Sequence, residues 1–136
     1  MDKKIIAFLQ KHHLLSLATR GDRLWCCSMF YAYDPQSISF IVASDEATEH
    51  MRNVSFDPHV AGTVALETKT VGKIQGIQFA GYMQPCDGRL KSLYFEAFTY
   101  ARVMNPTLWT IRLDEVKMTD NTLGFGKKIH WKREFE

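Results

Sequence analysis

The segment Ser44-Asp45-Glu46-Ala47-Thr48-Glu49-His50-Met51-Arg52 holds the side chains best suited to binding an anion. Ser44 follows the apolar run 38–43, so it stands where a strand hands over to a helix. There its hydroxyl and the next backbone N–H groups are free donors, with Thr48, His50 and Arg52 a turn later. Oxyanions bind helix starts because unpaired N–H groups and the helix dipole both favour negative charge. An N-capped surface helix explains the same residues without a ligand, and on residue types alone that plainer reading is slightly the stronger. Asp45 and Glu46 also repel a phosphate set directly on them.

Other chemistries fare worse. The histidines (12, 13, 50, 59 and 130) include no H-x-x-x-H pair, and consecutive Cys26 and Cys27 point to opposite faces of a strand. They cannot chelate one tetrahedral ion, so no metal site is expected. Gly124-Phe125-Gly126-Lys127-Lys128 lacks the third glycine and the following helix of a nucleotide loop. It reads as a surface turn beside two lysines that can touch an anion. No G-x-S-x-G occurs, and no spacing singles out a Ser–His–Asp or Cys–His set. Cys26 or Cys27 as a thiolate needs a cationic neighbour, and core packing is the simpler role for both. No catalytic acid or base stands out.

The elements that must position these residues follow from periodicity. Asp2 caps a helix over residues 2–12, where Ile5, Ile6 and Leu9 recur at helical spacing. Residues 14–20 and 23–33 read as strands about a Gly21-Asp22 turn, and Asp34-Pro35-Gln36-Ser37 turns into a third at 38–43. The helix opened by Ser44-Asp45-Glu46 runs toward Asn53, and Asp57-Pro58 ends that unit. Residues 60–66 and 71–83 are further strands. Pro85 and Asp87-Gly88 open a helix with one apolar stripe, Leu90, Leu93, Tyr94, Ala97, Phe98 and Ala101, stopped by Asn105-Pro106. Trp109, Ile111 and Leu113 alternate with polar residues as a half-buried strand, and a glycine-punctuated tail ends near Trp131.

Six or so hairpin-connected strands with three helical pieces imply a mainly β, α+β fold, an antiparallel sheet closed into a small barrel. The second strand is apolar on both faces: Trp25, Cys27, Met29, Tyr31 and Tyr33 on one, Leu24, Cys26, Phe30 and Ala32 on the other. An antiparallel strand normally wets one face. The barrel core takes one face and a second subunit the other, so a homodimer is expected, with Trp25 or Tyr31 at or near the interface.

At 136 residues the chain is expected to form one domain, 1–136. With 46% hydrophobic and 24% charged residues it is neither disordered nor fibrous. A net charge of +2 is too mild to argue for nucleic acid or an anionic membrane. Nine Phe, three Trp and five Tyr exceed what a small core needs and suggest a partner surface or a planar ligand. The first apolar run stops at Gln10, short of a signal peptide, and no stretch is long enough to span a bilayer. An odd cysteine count argues against a disulfide framework, so the expected location is the cytoplasm.

Several segments carry a resemblance. They are Leu24-Trp25-Cys26 with Phe30-Tyr31, Val60-Ala61-Gly62-Thr63-Val64, and Lys69-Thr70-Val71 with the run 74–81. The most specific is Trp109-Thr110-Ile111-Arg112-Leu113-Asp114-Glu115 through the run 119–128. Together with the barrel order they resemble the FMN-binding split barrel of the pyridoxamine 5′-phosphate oxidase-like superfamily, and most closely its YhbP-like family. The resemblance implies a six-stranded antiparallel split β-barrel and a homodimer with FMN at the subunit interface. It implies ring contacts from Trp25, Cys26, Cys27 and Ser28, and phosphate contacts from Ser44, Thr48 and His50. Gln78 is the implied polar contact from the later strand, and the partner's tail at residues 124–127, with Lys127, is implied to complete the pocket. The oxidases' Arg/Lys phosphate clamp has no match here, and His50 stands where a lysine is expected. The implied activity is redox chemistry of a flavoprotein on a small molecule. The alternative is a dimeric module that holds flavin, haem or another planar ligand without turnover.

Overall fold

The computed structural model describes residues 1–134. In chain order the elements are α1 (Lys3–Lys11), β1 (Leu14–Arg20), β2 (Leu24–Asp34), β3 (Ser39–Ala43), α2 (Glu49–Phe56), β4 (His59–Ala65), β5 (Gln75–Pro85), α3 (Gly88–Ala97), β6 (Leu108–Asp120) and β7 (Lys128–Lys132). The strands run β3-β2-β1-β4-β5-β6-β7, and β3 also pairs with β6. That pairing closes β1–β6 into an antiparallel six-stranded barrel, with β7 attached outside the closure. Every ladder is antiparallel.

Alternation decides what the barrel encloses. Leu15 and Leu17 of β1, Met29 and Tyr31 of β2, Ile77, Phe79 and Met83 of β5, and Ile111 and Leu113 of β6 all point inward and are buried. Each such side chain contributes about 1.5–3 kcal/mol of burial. Phe40 is the aromatic centre, 4.6 Å from the Tyr31 ring and 5.0 Å from that of Phe79. Helix α1 buries Ile5, Phe8 and Leu9 against this core, and the Tyr31 hydroxyl donates to the Leu9 carbonyl at 2.8 Å. Helix α3 covers the outer side of β2 and β3, packing Leu90 and Tyr94 on Ala32 and Ile41.

The long strand β6 makes the split. One edge pairs with β5; the other pairs with β3 through residues 108–112 and with β7 through residues 115–119. Arg133 fills the step between β3 and β7, its guanidinium donating to the carbonyls of Leu113, Ser37 and Ile38. Among the described residues no helix is long and apolar enough to cross a membrane.

The structure corrects several expected boundaries. The stretch 71–73 is a 3₁₀ turn, and the strand expected from Val71 begins at Gln75. Ala101 lies on a 3₁₀ segment beyond the end of α3 at Ala97. The tail forms β7. Tyr31 is 1% exposed inside the barrel, so it is a core residue and not an interface one, whereas Trp25 on the same face is 40% exposed where β2 leaves the core.

Candidate functional site

Ser44 does not start the helix. Thr48 does: it has extended backbone angles, and its Oγ1 accepts the Met51 N–H at 3.3 Å. Asp45 instead closes its own turn by accepting the Ala47 N–H at 2.7 Å. This frees Ser44 to fold back on the helix. Its Oγ lies 2.5 Å from His50 Nε2, and Thr48 Oγ1 lies 3.3 Å from the same nitrogen. Two hydroxyls therefore converge on one imidazole. All three residues are half-buried, and burial lowers the His50 pKa from its ordinary value, so the ring is neutral near pH 7. With the Thr48 hydroxyl donating to the Asp45 carbonyl at 2.8 Å, the set offers an anion the Ser44 hydroxyl and an imidazole N–H.

Two further features adjoin it. Trp109 Nε1 donates to the Ser44 carbonyl at 2.9 Å. Its ring, with Met51, Val54, Met83 and Pro85, walls a cavity of about 500 Å³ whose lining also includes Arg52. On the adjoining first turn of α2, Glu49 receives Arg23 Nε at 3.0 Å and Arg52 Nη2 at 3.2 Å. The Arg23 guanidinium lies 4.6 Å from the centre of the Trp25 ring. A hydrogen bond from Arg23, then the charges of Arg23 and Arg52, hold the Glu49 carboxyl below its ordinary pKa. Asn53, buried, ties α2 to the β1–β2 hairpin through Thr19 Oγ1 and the Arg23 carbonyl.

Ser44, Thr48 and His50 come together, and Trp25 is tied to α2 through Arg23 and Glu49 but does not touch that cluster. The others lie apart from it. Cys26 and Ser28 lie on the outer face of the sheet, with Cys27 on the opposite face and half-buried; burial, then Cys26, raises the Cys27 thiol to about 11. The register Ser28–Ser16–Thr63–Gln78 puts Gln78 three strands from Ser28, roughly 14 Å away. Lys127 is exposed in the β6–β7 turn, beyond the Asp120 end of β6 and away from α2. Arg23, Glu49 and Trp109 escaped the sequence reading. The Glu49/Arg52 spacing was a visible helix pair, but the Arg23 contact spans 26 residues and Trp109 reads as core strand.

A larger cavity of about 620 Å³ lies elsewhere, between α1, β2 and α3. His12 and His13 line it with Tyr33, Glu96 and Phe98. The His12 ring packs against that of Phe8 at 4.2 Å, tilted by 38°, and His13 stacks with Phe30 at 6.3 Å. None of the expected site residues lines this cleft.

No protein-family profile matches the chain. A UPF0306 protein from Klebsiella pneumoniae is 42% identical over 132 residues, covering 93% of this chain and 90% of that protein. The UPF0306 protein YhbP of Salmonella paratyphi C is 39% identical over 132 residues, with the same coverage. Among solved structures, a haem-binding protein from Mycobacterium smegmatis superposes with a TM-score of 0.73 at 16% identity. That alignment covers 93% of this chain but spans only 56% of the other. An FAD-binding protein from Mesorhizobium loti gives a TM-score of 0.70 at 10% identity, covering 87% of this chain and 94% of that one. At such identities these likenesses establish the split-barrel fold.

Proposed function

The chain belongs to the UPF0306 (YhbP) family, and from that premise we propose that it is a flavin-binding split-barrel protein that holds FMN between two copies of itself. The observation that carries this reading is the convergence of Ser44 and Thr48 hydroxyls on His50, beside the Trp109-walled cavity. Neighbours of the same fold described as FAD-binding and haem-binding support a planar ligand. The residues fit FMN: the Ser44 hydroxyl and the His50 imidazole for the phosphate, and Trp25 with the β2 backbone for the ring. Bound flavin would supply two-electron redox chemistry on a small molecule, with the protein orienting the ring and excluding water.

The outer face of the sheet supports the homodimer. Across β2, β1, β4 and β5 one row reads Cys26–Ala18–Ala61–Ala80 and the next Ser28–Ser16–Thr63–Gln78. Apart from Gln78 these side chains are small; all are exposed except half-buried Ser16, and they are flanked by Leu14, Leu24 and Phe30, the last 53% exposed. An exposed face of this kind fits a second copy of itself. In that arrangement Gln78 and Lys127 reach a site whose phosphate end belongs to the partner.

The test is an absorbance spectrum of the purified protein, followed by FMN titration. Flavin bands, or saturable FMN binding, sustain the reading; a colourless protein that ignores added FMN sinks it. A second reading, haem binding without turnover, is favoured by the larger cleft, where His12 and His13 rings form no hydrogen bond among the described residues. A Soret band in the same spectrum would select it.

A further inference from the structure

We infer that Glu49 is a built-in occupant of an anion site: Arg23 and Arg52 clamp its carboxylate in the free protein and pass to the ligand's phosphate when it binds. The inference rests on the flavin reading for the identity of that ligand. The missing phosphate clamp is then present, composed of residues far apart in sequence and hidden by an internal carboxylate.

The geometry is that of recognition. Arg23 comes from the β1–β2 turn and Arg52 from α2, and each takes a different oxygen of the same carboxylate, Oε1 at 3.0 Å and Oε2 at 3.2 Å. A phosphate offers three oxygens to the same pair of guanidinium groups and carries about twice the charge. Both arginines also adjoin surfaces a flavin would use. Arg23 lies over Trp25, and Arg52 lines the 500 Å³ cavity next to Trp109. Their side chains are 64% and 68% exposed while that of Glu49 is 28% exposed, so an anion from solution meets the guanidinium groups first. Glu49 does not cap α2; the cap is Thr48. Its removal therefore leaves the helix its own start.

Exchange of this kind sets affinity by competition. A carboxylate tethered beside the arginines reduces the fraction of protein ready for phosphate, and the apparent dissociation constant rises in proportion. Solvated arginine–carboxylate pairs hold weakly, so removing both raises phosphate affinity about two- to thirtyfold. Riboflavin, which has the ring but no phosphate, gains nothing.

The experiment titrates FMN and riboflavin by flavin fluorescence, and inorganic phosphate by calorimetry, into wild type, Glu49→Gln, and Glu49→Gln combined with Arg23→Gln and Arg52→Gln. The expected result is tighter FMN and phosphate with Glu49→Gln, unchanged riboflavin, and loss of the gain in the triple variant. FMN binding that Glu49→Gln leaves equal or weaker overturns the inference while the flavin reading stands. If no variant binds FMN, the flavin reading fails, and inorganic phosphate decides: tighter binding by Glu49→Gln sustains the clamp, unchanged binding removes it. Should Glu49→Gln misfold, Arg23→Gln and Arg52→Gln alone decide; each must weaken FMN but not riboflavin, and equal loss of both ligands, or of neither, overturns the inference.

Discussion

Ser44 Oγ and His50 Nε2 stand 2.5 Å apart although their backbones belong to a strand end and a helix. The contact exists because Asp45 turns the chain and Thr48 starts the helix, leaving Ser44 opposite the second helical residue. The imidazole is neutral in this setting, so positive charge for an anion must come from a proton gained on binding or from the neighbouring arginines.

Burial of His50 has a consequence for stability. A base whose pKa is lower folded than unfolded binds protons more readily in the unfolded chain, so stability is full above about pH 6.5 and falls as pH drops through that value toward the folded pKa. His12 acts in the same direction, lowered by burial and then by Lys11 and His13. His50→Gln should therefore reduce the loss in stability between pH 7 and 5.5, read by urea denaturation at a series of pH values. An unchanged slope would mean that His50 is not desolvated.

The proposed dimer face gives a second prediction. Ala18 lies in the middle of the exposed sheet, opposite Cys26 on one side and Ala61 on the other. Ala18→Arg adds bulk and charge outside the barrel and leaves the core untouched. Sedimentation at micromolar concentration should show a monomer with its melting temperature little changed by the arginine itself. A variant that sediments as a dimer rules this face out.

Gly62 tests the packing of the barrel. A Cβ there would lie 2.2 Å from the Ser16 carbonyl oxygen and 2.5 Å from Phe79 Cζ, so Gly62→Ala should cost about 1–3 kcal/mol. Gly76 is two strands from β1, and a Cβ there meets only the Val64 carbonyl at 3.7 Å. Gly76→Ala should be neutral or stabilise by up to about 1 kcal/mol. Equal urea midpoints for the two variants would contradict the close approach of β4 to β1 and β5.

Most of the barrel was legible because its strands alternate and its turns carry Asp, Gly and Pro at the right places. The start of α2 was not. Ser44, Asp45 and Thr48 are all good caps, and only the folded chain shows that Asp45 spends its carboxylate on Ala47 and leaves the cap to Thr48. β7 had a signal, since Ile129 and Trp131 alternate with Lys128, His130 and Lys132, but the preceding glycines read as an irregular tail. Local pattern could bring Ser44, Thr48 and His50 together. It could not bring Arg23 to Glu49, nor show that Gln78 and Lys127 lie apart from them, because strand order decides both.

Ser44 and Thr48 supply the last prediction, which separates phosphate contacts from helix stability. The Thr48 hydroxyl donates to the Asp45 carbonyl at 2.8 Å and accepts from Met51, so Thr48→Ala should cost about 1 kcal/mol of stability besides any loss of ligand. Ser44→Ala removes a hydroxyl whose side-chain partner is His50 and should leave stability nearly unchanged. A hydrogen bond to a charged group contributes about 1.5–3 kcal/mol, so Ser44→Ala should weaken FMN roughly ten- to a hundredfold. Riboflavin should bind the variant as it binds wild type. Flavin fluorescence titrations of both ligands measure the difference: equal weakening of FMN and riboflavin would place Ser44 at the ring, and no weakening of either would place the phosphate away from α2.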